Sequence, residues 1–348
     1  MIRLYGVEEE GMYEAVAKGG LHVFEMICLQ SLVLGIAFGL IFALLDMALD
    51  REILRRASYW VIILVRTIAH ILATFVIIAT TLLITHSLFG GDFDIIQYKD
   101  IWRESILSKT AIVLMIYTGV VSIIFNLLKQ INSMFGPGIL YNIISGRYHS
   151  PKEEERIFMF LDLKSSTTYA ERLGHVLYSE LIQDCFFDLT EAVNKHDAEI
   201  YQYVGDEAVL TWKISNGLSK GNCVEAFFRF EASIQRRADY YFNKYDLVPA
   251  FKAGMNMGMV MVAEVGVIKK EIAYHSDVLN TAARIQGKCN EYGKRLLITA
   301  QMKQYLEGLP GYEIDEVGTV SLKGKKTKIT IFSLDKEELI EHPYEFSE

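Results

Sequence analysis

Apolar and polar positions divide this chain into two very different halves. Three long apolar runs fill the first 131 residues, at about 23–45, 59–88 and 111–128. Each is long enough to cross a bilayer, which takes about 20 helical residues. None shows the polar face of a helix in a soluble bundle. The pattern predicts an α-helical transmembrane domain over 1–131 with three spans. The first run is too long, and has acidic residues ahead of it, for a cleaved signal peptide. From 132 to 152 the chain turns polar and carries Gly136, Pro137, Gly138, Gly146 and Pro151. Such residues end the third helix and mark a linker, through which any membrane signal must pass.

Beyond Pro151 the period changes. Residues 156–163 read as a buried strand, 169–193 as a helix, and 199–204 with 208–213 as two strands joined by the tight turn Gly205-Asp206-Glu207. A helix follows over 223–245, then a hairpin from 250–255 and 259–264, and a helix over 277–292. Short strands near 295–298, 312–322 and 329–334 close the unit. The order strand–helix–strand–strand–helix–strand predicts an α+β sandwich of ferredoxin-like type over 153–338, with a tail at 339–348.

Charge sets the orientation. The connection after the first span carries Arg51, Arg55 and Arg56; the one after the second carries Asp92, Asp94, Asp100 and Glu104 against Lys99 and Arg103. Basic loops stay in the cytoplasm, so residues 1–22 lie outside and everything after Lys129 inside. The expectation is a multi-pass protein of the cell (inner or plasma) membrane, with the lipid bilayer as one partner and a cytoplasmic C-terminal domain. Arg66 is expected to snorkel to the headgroups, with His70 one turn on at the interface. Gly35 and Gly39 form a GxxxG step of the kind that lets helix backbones approach closely. A formal charge of −8 over 348 residues and the lack of a basic stripe argue against nucleic acid as a partner. The cysteines (Cys28, Cys185, Cys223, Cys289) have neither CxxC nor zinc spacing; they read as reduced, buried small hydrophobes. GxxxxGK[ST], HExxH and GxSxG are absent.

Two carboxylates stand out because each falls at a strand end. Asp162 closes the apolar run in Phe160-Leu161-Asp162-Leu163, and Asp206 occupies the turn in Val204-Gly205-Asp206-Glu207. Taken singly, Asp162 caps the helix behind it and Asp206 makes a turn. Taken together on adjacent strands, they form a hard-oxygen pair suited to two Mg²⁺ (or Mn²⁺) ions and phosphoryl chemistry. Ser166 and Thr167 then sit at a helix start able to receive phosphate oxygens.

In these segments the chain resembles the catalytic domain of class III adenylate and guanylate cyclases. The resemblance rests on Phe160-Leu161-Asp162 with Ser166-Thr167, on Val204-Gly205-Asp206, on Lys252-Ala253-Gly254-Met255-Asn256-Met257-Gly258, on Asp277-Val278-Leu279-Asn280-Thr281-Ala282-Ala283-Arg284, and on Leu322-Lys323-Gly324-Lys325. It implies that Asp162 and Asp206 hold the two ions. It further implies that Asn280 and Arg284 orient the ribose and stabilise charge on the reacting phosphate, and that Lys323 contacts the triphosphate. Asn280 and Arg284 lie at i and i+4, on one helix face, where the Arg fork can meet phosphoryl oxygens. In this family each site is shared across a homodimer, with metal ligands from one chain and Asn, Arg and Lys from the other.

The resemblance breaks at the base-reading pair. Gln202, four before Asp206, stands where the family's adenylate cyclases carry Lys, and Ala273, seven before Asn280, where Asp or Thr is expected. The guanylate-type Glu and Cys are absent too. A glutamine amide both donates and accepts, so it suits adenine or, turned over, guanine. The resemblance implies conversion of ATP to 3′,5′-cyclic AMP and pyrophosphate, in intracellular signal transduction. GTP or another nucleoside triphosphate as substrate, and a catalytically silent cyclase-like membrane receptor, are the competing readings.

Overall fold

The computed structural model describes residues 21–49, 58–89, 109–136, 139–321 and 328–336. The chain separates into two compact units, Met1–Met134 and Phe135–Glu348.

The first unit contains helices α1 (Leu21–Leu49), α2 (Tyr59–Phe89) and α3 (Lys109–Phe135). Among the described residues two segments are long and apolar enough to cross a membrane, Tyr59–Thr80 in α2 and Ala111–Met134 in α3; Gly35–Leu49 in α1 is apolar but shorter. The expected first span at 23–45 begins in a part of α1 whose side chains lie outside the described residues. Burial in this unit is inverted relative to a water-soluble bundle. Leu64, Ile68, Leu72 and Val76 of α2, and Val113, Ile116, Val120 and Ile124 of α3, point outward. Arg66, His70 and Thr74, and Thr118, Ser122 and Asn126, point inward. Each polar set repeats every four residues, so it forms a seam down one helix face.

This seam corrects two expectations. Arg66 does not snorkel outward and His70 is not interfacial: both are buried, at 8% and 2% exposure. Arg66 turns its Nε toward Asp46 of α1 at 3.9 Å. His70 shares a hydrogen bond of 2.7 Å with Ser122, lies 3.6 Å from Asp46, and stacks on Phe42 at 4.3 Å. Lys129 approaches the other Asp46 oxygen at 3.4 Å. The His70–Ser122 hydrogen bond and the opposed charges around Asp46 offset part of the cost of an apolar setting. Among the described residues, a Cβ at Gly35 or Gly39 would meet nothing within 4 Å, so the GxxxG step is not used in their packing.

The second unit is built on an eight-stranded sheet. In chain order its elements are α4 (Ile139–Ile144), β1 (Lys152–Leu163), α5 (Ser166–Lys195), β2 (Glu199–Val204), β3 (Glu207–Lys213), α6 (Ile214–Leu218), α7 (Asn222–Arg236) and α8 (Ala238–Tyr245). Then come β4 (Phe251–Val265), β5 (Glu271–His275), α9 (Asp277–Gln286), α10 (Cys289–Tyr292), β6 (Leu296–Thr299), α11 (Ala300–Leu306), β7 (Tyr312–Val320) and β8 (Ile329–Lys336). The strands run β2-β3-β1-β4-β6-β8-β7, with β5 on β4. The first four strands and the helices between them take the ferredoxin-like order β2-β3-β1-β4, all antiparallel.

β1 is buried on both faces, which explains its unbroken apolar run. Ile157, Met159, Leu161 and Leu163 enter the main core beneath α5, α7 and α8, with Trp212, Phe230 and Tyr241. Phe158 and Phe160 enter a second core beneath α9, with Val209, Val260 and Ala282. By strand parity Asp162 falls on this second face.

The expected hairpin over 250–264 is one continuous strand, β4. Its glycines make room rather than turns. A Cβ on Gly254 would lie 2.3 Å from the backbone nitrogen of Gln286 and 2.5 Å from the carbonyl oxygen of Ala282, so glycine is what lets α9 lie directly on the strand. The strand that forms a hairpin with β4 is β5, which the sequence pattern does not single out. Other differences are local: α5 breaks at Gly174 (φ 70°, ψ 170°), and the helix expected over 223–245 is two, meeting at Arg237.

Candidate active site

Asp162 lies opposite Glu207 in the β1–β3 register and opposite Lys252 in the β1–β4 register. Asp206 precedes Glu207 in the β2–β3 turn, where Gly205 takes φ 62°. The two aspartates therefore share one end of the sheet. One oxygen of Asp162, Oδ2, accepts the Gln286 amide at 2.9 Å and faces the Lys252 ammonium at 3.2 Å. The Oδ2 of Asp206 is buried with no hydrogen-bond partner.

Neighbouring groups register the concentrated negative charge. Burial, then Asp162 and Asp206, push the Glu207 carboxyl up to about 7 against the opposing pull of Lys252. Burial and then Asp206 raise the pKa of the Tyr178 phenol, which also borders Ser166 and Asp162. A buried carboxylate oxygen without a donor beside a second carboxylate is an oxygen set of the type divalent cations take. Among the described residues, no group of three or more His, Cys, Asp or Glu side chains is placed to hold a metal ion. An ion on this pair would complete its shell with backbone, water or substrate oxygens.

The helix behind Asp162 is not capped by it. The capping position is Ser165, held left-handed at φ 61° and ψ 29°, with no side-chain cap hydrogen bond. Ser166 and Thr167 thus open a helix whose first N–H groups receive no side-chain oxygen from the cap, an anion-receptive end.

The remaining expected residues lie on other elements. Asn280 is exposed and Arg284 half-buried on α9. Among the described residues neither side chain makes a hydrogen bond or ion pair, whereas Asn256 beneath them binds the Val278 carbonyl at 3.2 Å. Gln202 is exposed on the edge strand β2, just after a register shift. Ala273 is half-buried on β5, paired with Ala263. No hydrogen bond joins Gln202 and Ala273; their neighbours Tyr201 and Tyr274 meet instead, edge to face at 5.0 Å. Lys323 lies outside the described residues. Sequence reading missed Tyr178, Glu207, Lys252 and Gln286. Only Glu207, beside Asp206 in the turn, carried a local signal.

Comparison with known proteins identifies the family and the fold. The family described as the adenylate and guanylate cyclase catalytic domain matches residues 149–336. Adenylate cyclase 2 of Rhizobium meliloti (strain 1021) is 31% identical over 59% of this chain and 56% of its own length. Adenylate cyclase 1 of the same organism is 25% identical over 52% of this chain and 27% of its own. The chain thus spans little more than half of the first of these relatives. A bacterial light-regulated adenylyl cyclase shares the fold, with a TM-score of 0.55 at 15% identity, over 65% of this chain and 66% of that one. Through residues 149–336 the chain belongs to the adenylate and guanylate cyclase catalytic domain family.

Proposed function

We propose that this protein is a membrane-bound adenylate cyclase that converts ATP into 3′,5′-cyclic AMP and pyrophosphate as a homodimer, serving intracellular signalling. The observation that carries the reading is the meeting of Asp162 and Asp206 at one sheet end, with a buried Asp206 oxygen that no protein donor claims.

Asp162 and Asp206 would hold two Mg²⁺ (or Mn²⁺) ions, which when bound would supply charge neutralisation and a lowered pKa for the attacking 3′-hydroxyl. The chain's own part is to bind and orient. The uncapped start of α5, with Ser166 and Thr167, receives phosphate oxygens. Arg284 offers its guanidinium to the α-phosphoryl oxygens, where negative charge builds, and Asn280 fixes the ribose. Among the described residues these two side chains are unbonded within their own chain, as expected if they serve the site of a second copy. Lys323 then adds a cation to the triphosphate. Gln202 reads the base edge, and Ala273 adds no polar correction, so discrimination between ATP and GTP is weak.

Membrane anchorage rests on the first unit: apolar residues outward, polar residues inward, and two helices of spanning length among the described residues. With the charge pattern of the loops, it supports a cytoplasmic catalytic unit.

The test is to purify the full chain in detergent and assay ATP, GTP, CTP and UTP separately with Mn²⁺ or Mg²⁺. Cyclic AMP formation that is lost in both Asp162→Ala and Asp206→Ala is expected. Full activity in either variant removes the metal assignment. No activity with any triphosphate favours a silent receptor.

A further inference from the structure

Asp162 is gripped from two directions through a single oxygen. Gln286, the last residue of α9 and only 6% exposed, donates its side-chain N–H to Oδ2 at 2.9 Å. Lys252, across the strand pair, brings its ammonium to 3.2 Å from the same Oδ2. An ungripped carboxylate can rotate and offer either oxygen. Held at Oδ2 by a buried amide, this one keeps Oδ1 for another ligand. Leaving the buried amide unpaired would cost desolvation free energy, so the contact fixes both partners. Gln286 reaches Asp162 only because Gly254 lets α9 settle onto β4, where any Cβ would collide with the helix backbone.

We propose that Gln286 is a positioning residue for the metal carboxylate: its amide, aided by Lys252, fixes the rotation of Asp162 so that Oδ1 faces the ion. This rests on the two-metal reading above. The same contact ties Asp162 to α9, the helix that carries Asn280 and Arg284. The groups assigned to metal and to phosphate therefore share one rigid link.

Mn²⁺ binding without turnover tests this, read from loss of the free-ion EPR signal in the full chain in detergent with a non-cyclisable ATP analogue. Outer-sphere partners of metal ligands are worth about 10- to 100-fold in affinity. Gln286→Leu is expected to weaken Mn²⁺ binding by that order, and its turnover to recover as Mn²⁺ is raised, which a merely structural lesion would not show. Wild-type affinity in Gln286→Leu overturns the proposal. Unchanged binding in Asp162→Ala instead overturns the metal reading itself, and the proposal with it. Should Gln286→Leu fail to fold, Gln286→Met keeps the length, removes the donor without adding a charge, and is read the same way.

Discussion

Tyr245 of α8 donates its hydroxyl proton to Asp184 of α5 at 2.6 Å. The same carboxylate accepts from Tyr240 at 2.7 Å and Lys244 at 3.0 Å. Burial alone would raise its pKa, but these donors outweigh burial and hold the carboxyl down to about 2. A carboxyl with a folded pKa below its unfolded value adds stability above the unfolded value and loses it as pH falls through the folded one. Here the loss runs from about pH 4 to about pH 2, and the contribution at neutral pH is about 2 kcal/mol. Asp184→Asn should lower the unfolding midpoint at pH 7 and flatten the acid limb; pH-dependent denaturation of the full chain in detergent measures both.

Gly254→Ala places a methyl group against the backbone of α9, which cannot bend away as a side chain can. Overpacking of this kind costs about 1–3 kcal/mol. Because α9 carries Asn280 and Arg284, cyclase activity should fall further than the stability loss explains. Thermal unfolding and turnover, measured on one preparation, separate the two effects.

Asp46 is the shared anion of Arg66, His70 and Lys129 inside the first unit. Asp46→Leu removes it and leaves the buried Arg66 guanidinium without that carboxylate, a lesion of about 3–5 kcal/mol where both partners are desolvated. The expected outcome is earlier loss of helix–helix contacts in detergent. Disulfide trapping between cysteines introduced on α2 and α3 reports it.

Coexpression tests the shared site. Asp162→Ala and Arg284→Ala chains should each be inactive alone and regain about a quarter of wild-type activity together, since half the dimers pair unlike chains and each keeps one intact site. Assay of the copurified mixture gives the answer. No recovery would place both residues in the same chain's site.

Base choice should respond to Gln202. With Gln202→Lys and Ala273→Asp combined, one added charge-assisted hydrogen-bond pair is worth about 1.5–3 kcal/mol, so the ATP over GTP ratio of kcat/KM should rise about tenfold or more. Competition kinetics with both nucleotides measure that ratio.

Residue pattern alone revealed Asp162 and Asp206 as exceptional, because each interrupts or ends an apolar strand whose neighbours are buried. It could not reveal Gln286 or Lys252, which reach Asp162 through register and through the seat of α9, 124 positions away along the chain in the case of Gln286. Gly254 and Gly258 look like turn signals in sequence and serve as clearance within β4. β5 escaped because Glu271-Ile272-Ala273-Tyr274-His275 is short, with polar ends. In the first unit high average apolarity concealed the four-residue spacing of Arg66, His70 and Thr74, and so the inward seam.

β1 is hydrogen-bonded along both edges, to β3 and to β4. Near its start, Tyr148 binds Glu154 at 2.7 Å and its carbonyl takes the Glu264 amide N–H at 2.9 Å; near its finish stands Asp162. A strand clamped on two sides can neither stretch nor slide by part of a residue, so it behaves as a stiff bar about 40 Å long. Force applied where the linker enters would reach the Asp162 carboxylate as movement, with little slack along the way to absorb it.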